Sequence, residues 1–264
     1  MIDDKKIQTK HIRFTYKLIV RVFTPYIVTL MGGYKVFGRE NMPAEGPALL
    51  CSNHISYLDP PIIGTAFNYR RCCYMGKGDL FRIPLFGPFI RYNYVYYVDK
   101  DEGGRQAIRT ATELLESGEL LVLFPEGTRS PDGELMKGEA GAAFIAMRAH
   151  APIIPIALWG TDVMLQRHSK ILHRTPVYVN IGKPMYVPEP QDGSKLSREE
   201  INAFTDRLIA TIAELFNEID AQVPEKWRKK RAQYLARNRS KLTPEELEIS
   251  RSQARFQEAK YETD

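Results

Sequence analysis

From Tyr34 to Ile181, short apolar runs alternate with stretches of helical periodicity. The runs are Pro47–Cys51, Cys72–Met75, Tyr94–Val98, Leu120–Phe124, Ile153–Leu158 and Val177–Ile181. Several are continuously apolar, as strands buried on both faces are. Between them the spacing predicts helices at Pro60–Asn68, Gly104–Glu116 and Ala140–His150. In the second, Ala107, Ile108, Ala111, Leu114 and Leu115 make one apolar stripe. A longer helix is predicted after the cap residue Ser197, with Ile201, Phe204, Leu208, Ile212, Leu215 and Ile219 three or four residues apart. Strands alternating with helices predict an α/β domain with a mixed, mostly parallel central sheet flanked by helices.

The two ends read differently. Phe14 to Met31 is apolar and aromatic, but Lys17, Arg21 and Pro25 interrupt it. A spanning helix needs roughly 20 predominantly apolar residues. The segment instead predicts two short helices hinged near Pro25, closed by Gly32-Gly33, lying in a membrane interface or dipping into one leaflet. An amphipathic helix capping the domain would carry the same pattern. The last forty residues predict a charged helical appendage. The expected division is 1–33 for interfacial helices, 34–222 for the domain and 223–264 for the tail.

Composition narrows this picture. A chain of 264 residues that is 44% hydrophobic and 26% charged can bury a core, which excludes a disordered chain. Cys51, Cys72 and Cys73 are too few for a disulfide framework and favour a reducing compartment. The charged start leads into no secretory signal. The net charge of +5 is local: Lys226 to Lys241 holds eight basic residues and no acidic one, so the remainder is net acidic. Such a stretch predicts an anionic partner. Trp227 and Tyr234 within it suit the headgroup level of an anionic membrane surface. A solvated helical face or a nucleic-acid site would use the same charges, but no nucleic-acid-binding fold is recognisable.

Two constellations carry chemistry. In Asn53-His54-Ile55-Ser56-Tyr57-Leu58-Asp59-Pro60, His54 sits in a loop at the C-terminal end of a strand, where open α/β sheets place ligand chemistry. Pro60 suits the first position of a helix and Asp59 its N-cap. A strand-to-helix turn can fold Asp59 back onto one ring nitrogen of His54 and leave the other to accept a proton. The alternative is a capping aspartate and a surface histidine that never meet. In Phe124-Pro125-Glu126-Gly127-Thr128-Arg129-Ser130, backbone N–H groups can converge on an anion and Arg129 offers a fork suited to phosphate. Here the alternative is a Glu126–Arg129 surface ion pair. There is no G-x-S-x-G elbow, phosphate-binding P-loop or dinucleotide fingerprint, and His168 and His173 read as surface groups rather than metal ligands.

Together these residues resemble the glycerolipid acyltransferase family. Its first block, Asn-His-x-x-x-x-Asp, is matched by Asn53, His54 and Asp59, with the usual serine at Ser56. Its third, Phe-Pro-Glu-Gly-Thr-Arg-Ser, is matched by Phe124 through Ser130. Its fourth, an apolar strand with two prolines, is matched by Ala151 to Ile156, and Ile181 to Pro184 is similar too. The second block departs: where the family has glycine, a short strand and Asp-Arg, this chain has Tyr94, a strand and Asp99-Lys100. Lysine keeps the charge and loses the bidentate fork. Arg105 is the candidate to compensate.

The resemblance implies acyl transfer from acyl-CoA or acyl-carrier protein, as co-substrate, to the sn-2 hydroxyl of lysophosphatidic acid. His54 would be the base and Asp59 its orienting partner. Asn53, Ser56, Lys100, Arg105, Glu126, Gly127, Thr128 and Arg129 would shape the substrate site, with backbone N–H groups around Gly127 for the oxyanion. No metal or other cofactor is implied. The expected location is the cytoplasmic face of a membrane, peripheral or monotopic. The same chemistry on another lysolipid, glycerol 3-phosphate or a glycolipid stays open, as does a non-catalytic lipid-binding protein. Cys51 and Ser56 are conceivable acylated nucleophiles, though Cys51 reads as core and Ser56 as a turn residue.

Overall fold

A computed structural model describes residues 12–98, 104–167, 169–188 and 196–250. In chain order, α1 (Phe14–Leu18) and α2 (Thr24–Met31) precede β1 (Tyr34–Phe37), β2 (Ala48–Ser52), α3 (Asp59–Ala66) and β3 (Cys72–Lys77). Then come α4 (Gly78–Arg82), α5 (Phe86–Tyr92), β4 (Val95–Val98), α6 (Arg105–Glu116) and β5 (Leu120–Leu123). Next are α7 (Gly141–Arg148), β6 (Ile153–Trp159), α8 (Thr161–Met164), β7 (Val177–Ile181), α9 (Arg198–Gln222) and α10 (Glu225–Arg239).

The strands form one seven-stranded sheet in the order β1-β7-β6-β2-β5-β3-β4. All neighbours are parallel except β6 and β7, which makes the sheet mixed and mostly parallel. β2 and β6 are buried at every position, as strands covered on both faces must be. Helices α6, α7 and α9 pack together over the sheet. A capping box starts α9: the Ser197 side chain accepts the Glu200 N–H, and the Glu200 carboxylate accepts the Ser197 N–H. Parallel β2, β5 and β6 lie side by side, so the loops at their C-terminal ends open on one edge of the sheet.

Three expectations need correction. The N-terminal segment is not two helices hinged at Pro25 but one continuous helical run, Phe14–Met31, with a π-turn at Ile19–Phe23 between α1 and α2. Proline lacks an N–H and its ring crowds the carbonyl four residues back; the wider π-turn absorbs that mismatch without breaking the helix. At about 1.5 Å per residue the run is about 27 Å long, close to the hydrocarbon thickness. Tyr16, Val20 and Val28 are buried against the domain, while Phe14, Val22, Phe23, Tyr26 and Leu30 are exposed. The run is therefore a packed helix with one apolar face outward.

Second, Asp59 is the first residue of α3 rather than its N-cap; Leu58 holds that place and makes no side-chain capping bond. Third, Trp227 and Tyr234 do not face outward from the basic stretch. Trp227 is partly buried against the cluster of Ala157, Trp159, Tyr178, Ile219 and Val223, and the Tyr234 hydroxyl accepts the Arg167 N–H at 3.1 Å.

Candidate active site

The loop from Asn53 to Asp59 leaves β2 and is fixed on both flanks. The Asn53 side chain continues the sheet as a peptide would: its Nδ2 donates to Leu158 O at 3.0 Å and its Oδ1 accepts the Leu158 N–H at 2.8 Å. The Ser56 hydroxyl donates to Leu165 O at 3.3 Å and accepts the Leu58 N–H at 3.3 Å. Both side chains are buried and serve the loop.

Within this turn the chain folds back as the spacing allows. Asp59 is fully buried. Its Oδ2 accepts from His54 Nδ1 at 2.8 Å and from the N–H groups of Ile55 and Ser56, both at 2.7 Å. Its Oδ1 accepts from the Thr161 hydroxyl at 2.6 Å. The carboxylate is spent on the preceding loop, which is why it caps nothing. With Nδ1 carrying the proton toward Asp59, Nε2 is left as the acceptor nitrogen of the neutral ring. The ring lies flat on Phe124, with centroids 3.9 Å apart, which fixes its second orientation. Thr161 went unforeseen: it stands 102 residues from Asp59, and nothing in its local sequence marks it.

The second loop leaves β5 and meets the first. Glu126 is buried, and its carboxylate bridges two backbone amides, His54 N–H at 2.7 Å and Met136 N–H at 2.9 Å. Burial pushes its pKa up to about 8 against the pull of those two donors. The Ser130 N–H donates to His54 O at 2.8 Å. The histidine is therefore gripped at its amide, its carbonyl and its ring. Gly127 has a φ of 68°, and a side chain there would strike the Glu139 carboxylate. Its own N–H closes the turn on Phe124 O at 3.0 Å, so it is not available to an oxyanion. The N–H groups of Thr128 and Arg129 donate to no other described residue.

Arg129 lies with its guanidinium 3.6 Å over the Tyr57 ring. Burial draws its pKa down, Tyr57 opposes this, and the like charge of Arg167 lowers it further. Arg105 is exposed at the start of α6. Lys100 and His168 lie outside the described residues. Tyr94, which stands in place of the family glycine, has a φ of 65°, the left-handed conformation that explains a glycine at that position. Burial compensates for the strain here. Its hydroxyl accepts the Arg13 N–H at 2.9 Å, its ring meets Tyr16 edge-on at 5.3 Å, and Arg71 lies 5.2 Å from its centroid.

Cys51 is fully buried in β2, and burial raises its thiol pKa far above the ordinary value, which disfavours the thiolate a nucleophile needs. Among the described residues no group of three His, Cys, Asp or Glu side chains is placed to hold a metal ion.

Known proteins are similar to this chain over the segment that carries the site. The family model described as Acyltransferase matches residues 33–159, which take in β2, β5, β6 and both loops. The 1-acyl-sn-glycerol-3-phosphate acyltransferase of Bacillus subtilis is 30% identical over 195 residues, covering 74% of this chain and 94% of that one. The chloroplastic enzyme of the same name from Brassica napus is 33% identical over 154 residues, though only 44% of its length is covered. The crystal structure of the 1-acyl-sn-glycerophosphate acyltransferase from Thermotoga maritima superposes with a TM-score of 0.62 at 26% identity, over 76% of this chain and 79% of that one. A relative 30% identical and matched over 94% of its length, together with a solved neighbour of the same fold, leaves one assignment: this chain is an enzyme of the acyltransferase family.

Proposed function

We propose that the chain transfers a fatty acyl group from acyl-CoA or acyl-carrier protein to the sn-2 hydroxyl of lysophosphatidic acid. The observation that carries this is the His54 ring, held by Asp59 through Nδ1 and stacked on Phe124, on the same sheet edge as Arg129. In the reaction Nε2 takes the proton of the acceptor hydroxyl as its oxygen attacks the thioester carbonyl. The tetrahedral intermediate collapses, the C–S bond breaks, and the imidazolium returns the proton to the departing sulfur. The N–H groups of Thr128 and Arg129 face the developing oxyanion. A positioned base contributes about 10²–10⁴-fold, and one oxyanion donor about 10²–10³-fold. Arg129 takes the acceptor phosphate, with Lys100 and Arg105 as further candidate cations for it. Glu126 serves by bracing the His54 amide. No metal or other cofactor enters the scheme.

The assay is thiol release from palmitoyl-CoA and from palmitoyl-carrier protein in detergent micelles. The acceptors are lysophosphatidic acid, glycerol 3-phosphate, lysophosphatidylcholine and uncharged monoacylglycerol. Lysophosphatidic acid is expected to give the highest kcat/KM with at least one donor. A different best acceptor would overturn the assignment of substrate, and Tyr94 and Lys100 mark where such a difference would arise. Release with none of them from folded protein would favour a non-catalytic lipid-binding protein.

The substrates are amphiphiles, and we place the chain as a peripheral or monotopic protein on the cytoplasmic face of an anionic membrane. Beside the outward face of α1 and α2 lies a second apolar surface on α5 and the turn before it, bearing Ile83, Leu85, Phe86 and Phe89. Leu85 is 88% exposed and has a φ of 62°, an apolar side chain held outward by strained backbone. Arg13 donates to Tyr92 O, and Thr15 Oγ1 donates to Asn93 Oδ1 at 2.9 Å, so the two surfaces adjoin. In co-sedimentation with phosphatidylglycerol vesicles, Leu30→Asp and Leu85→Asp are each expected to weaken binding about tenfold or more. Unchanged binding in both would remove these surfaces from the membrane contact.

A further inference from the structure

The basic C-terminal helix does not trail away from the domain. Arg231 on α10 donates Nε to Asp162 Oδ2 at 2.8 Å, in a pair almost wholly removed from solvent, and Nη2 to Gly133 O at 2.9 Å. Two turns on, buried Asn238 donates Nδ2 to Pro131 O at 2.9 Å. Past the helix, Glu246 accepts the Thr243 N–H at 2.9 Å through one oxygen and Arg167 Nε at 2.6 Å through the other. The Ser250 hydroxyl donates to Asp132 Oδ2. One segment thus grips two stretches at once, the loop 131–133 and residues 162–167, which begin in α8.

Each of those stretches touches the histidine loop from its own side. Ser130, next to Arg129, donates its N–H to His54 O. From the other stretch and its start, Thr161 binds Asp59 at 2.6 Å and Leu165 O accepts from Ser56. Arg167 Nη1 reaches Ser130 O at 3.4 Å and closes the ring between them. The loop after Arg129 has no regular secondary structure, and its outer anchors come from the C-terminal segment. A helix that merely presented cations to solvent or lipid would not commit Arg231 to a buried carboxylate and a loop carbonyl.

We propose that α10 and the helical residues 244–250 that follow it form a positioning clamp for Arg129, with Arg231, Asn238 and Glu246 as its contacts. The clamp fixes the chain on the C-terminal side of Arg129, so that the guanidinium over Tyr57 meets the acceptor phosphate at one place relative to His54. These are positioning residues: none touches substrate. The proposal rests on the reading that Arg129 binds the acceptor phosphate. It also assigns the inward cation Arg231 a role, while Lys226, Arg228, Lys229, Arg237, Arg239 and Lys241 stay exposed.

The test is a double-mutant cycle on steady-state kinetics with lysophosphatidic acid and palmitoyl-CoA, using wild type, Arg231→Ala, Arg129→Ala and the double variant. Arg231→Ala is expected to raise the acceptor KM about tenfold while the donor KM stays unchanged, because a small misplacement of a substrate-orienting group costs that much or more. Arg231→Lys should recover part of it. In the Arg129→Ala background the effect of Arg231→Ala should vanish, since no guanidinium remains to position. An equal loss on acceptor and donor, or an effect that persists undiminished without Arg129, overturns the clamp. If Arg129→Ala itself leaves the acceptor KM unchanged, the phosphate reading falls first. Should Arg231→Ala not fold, Asn238→Ala, which deletes one neutral hydrogen bond, enters the same cycle.

Discussion

Replacing His54 with alanine is expected to lower acceptor-dependent thiol release by about 10²–10⁴-fold, the range a positioned base supplies. The protein should still fold. The bonds that hold this stretch run from the His54 amide to Glu126 and from its carbonyl to Ser130, and neither involves the imidazole. What the variant loses is the stack on Phe124 and the donor to Asp59 Oδ2, which keeps two backbone N–H partners. The kinetic signature is therefore a fall in kcat with both KM values near wild type, alongside a small change in Tm. A kcat within about fivefold of wild type, against the range above, would remove His54 as the base.

The second large effect is expected at Asp59, where two substitutions separate charge from structure. An asparagine can place its Oδ1 where the aspartate Oδ2 stands and keep the three donors from His54, Ile55 and Ser56. Its Nδ2 can donate to the Thr161 oxygen, which then only has to turn its own proton elsewhere. Asp59→Asn should thus fold nearly normally and keep the ring tautomer, yet lose the negative charge that stabilises the imidazolium. A kcat reduced by about 10²-fold or more is the expected result. Asp59→Ala leaves two backbone N–H groups and a hydroxyl buried without a partner, at about 1–3 kcal/mol each. It should fail in thermal denaturation as well as in turnover. An Asp59→Asn enzyme as fast as wild type would show that orientation alone is required.

Sequence made the central strands and the two chemical loops legible, because continuous apolar runs and the glycine and proline punctuation around them are local signals. Three kinds of feature were hidden. β1 is a partly exposed edge of four residues, Tyr34–Phe37, with no apolar run to mark it, and it finds its partner only in β7. The antiparallel sense of β7 is likewise invisible, since a buried strand reads the same in either direction. Helices α4 and α5 are short; Pro84 lies between them and Gly87 and Pro88 in the first turn of α5, and all three read as breakers. In the site, the His54–Asp59 pair was legible from spacing, whereas Thr161 and the inward turn of Glu126 depend on contacts across the sheet. Net charge located the basic tail correctly along the chain. It could not show that Arg231 turns inward, because a cation in a buried pair and one in solvent are the same letter.

The pairing of β1 with β7 has a consequence in time. The N-terminal helix leads directly into Tyr34, whose partner Val177 emerges about 140 residues later. At roughly 5–20 residues per second of synthesis, that interval is on the order of ten seconds. Throughout it β1 has no strand to pair with, whereas α3, Cys72, Tyr74 and Tyr94, against which α1 and α2 pack, are made in its first half; the N-terminal helix can settle on the domain well before this edge of the sheet closes.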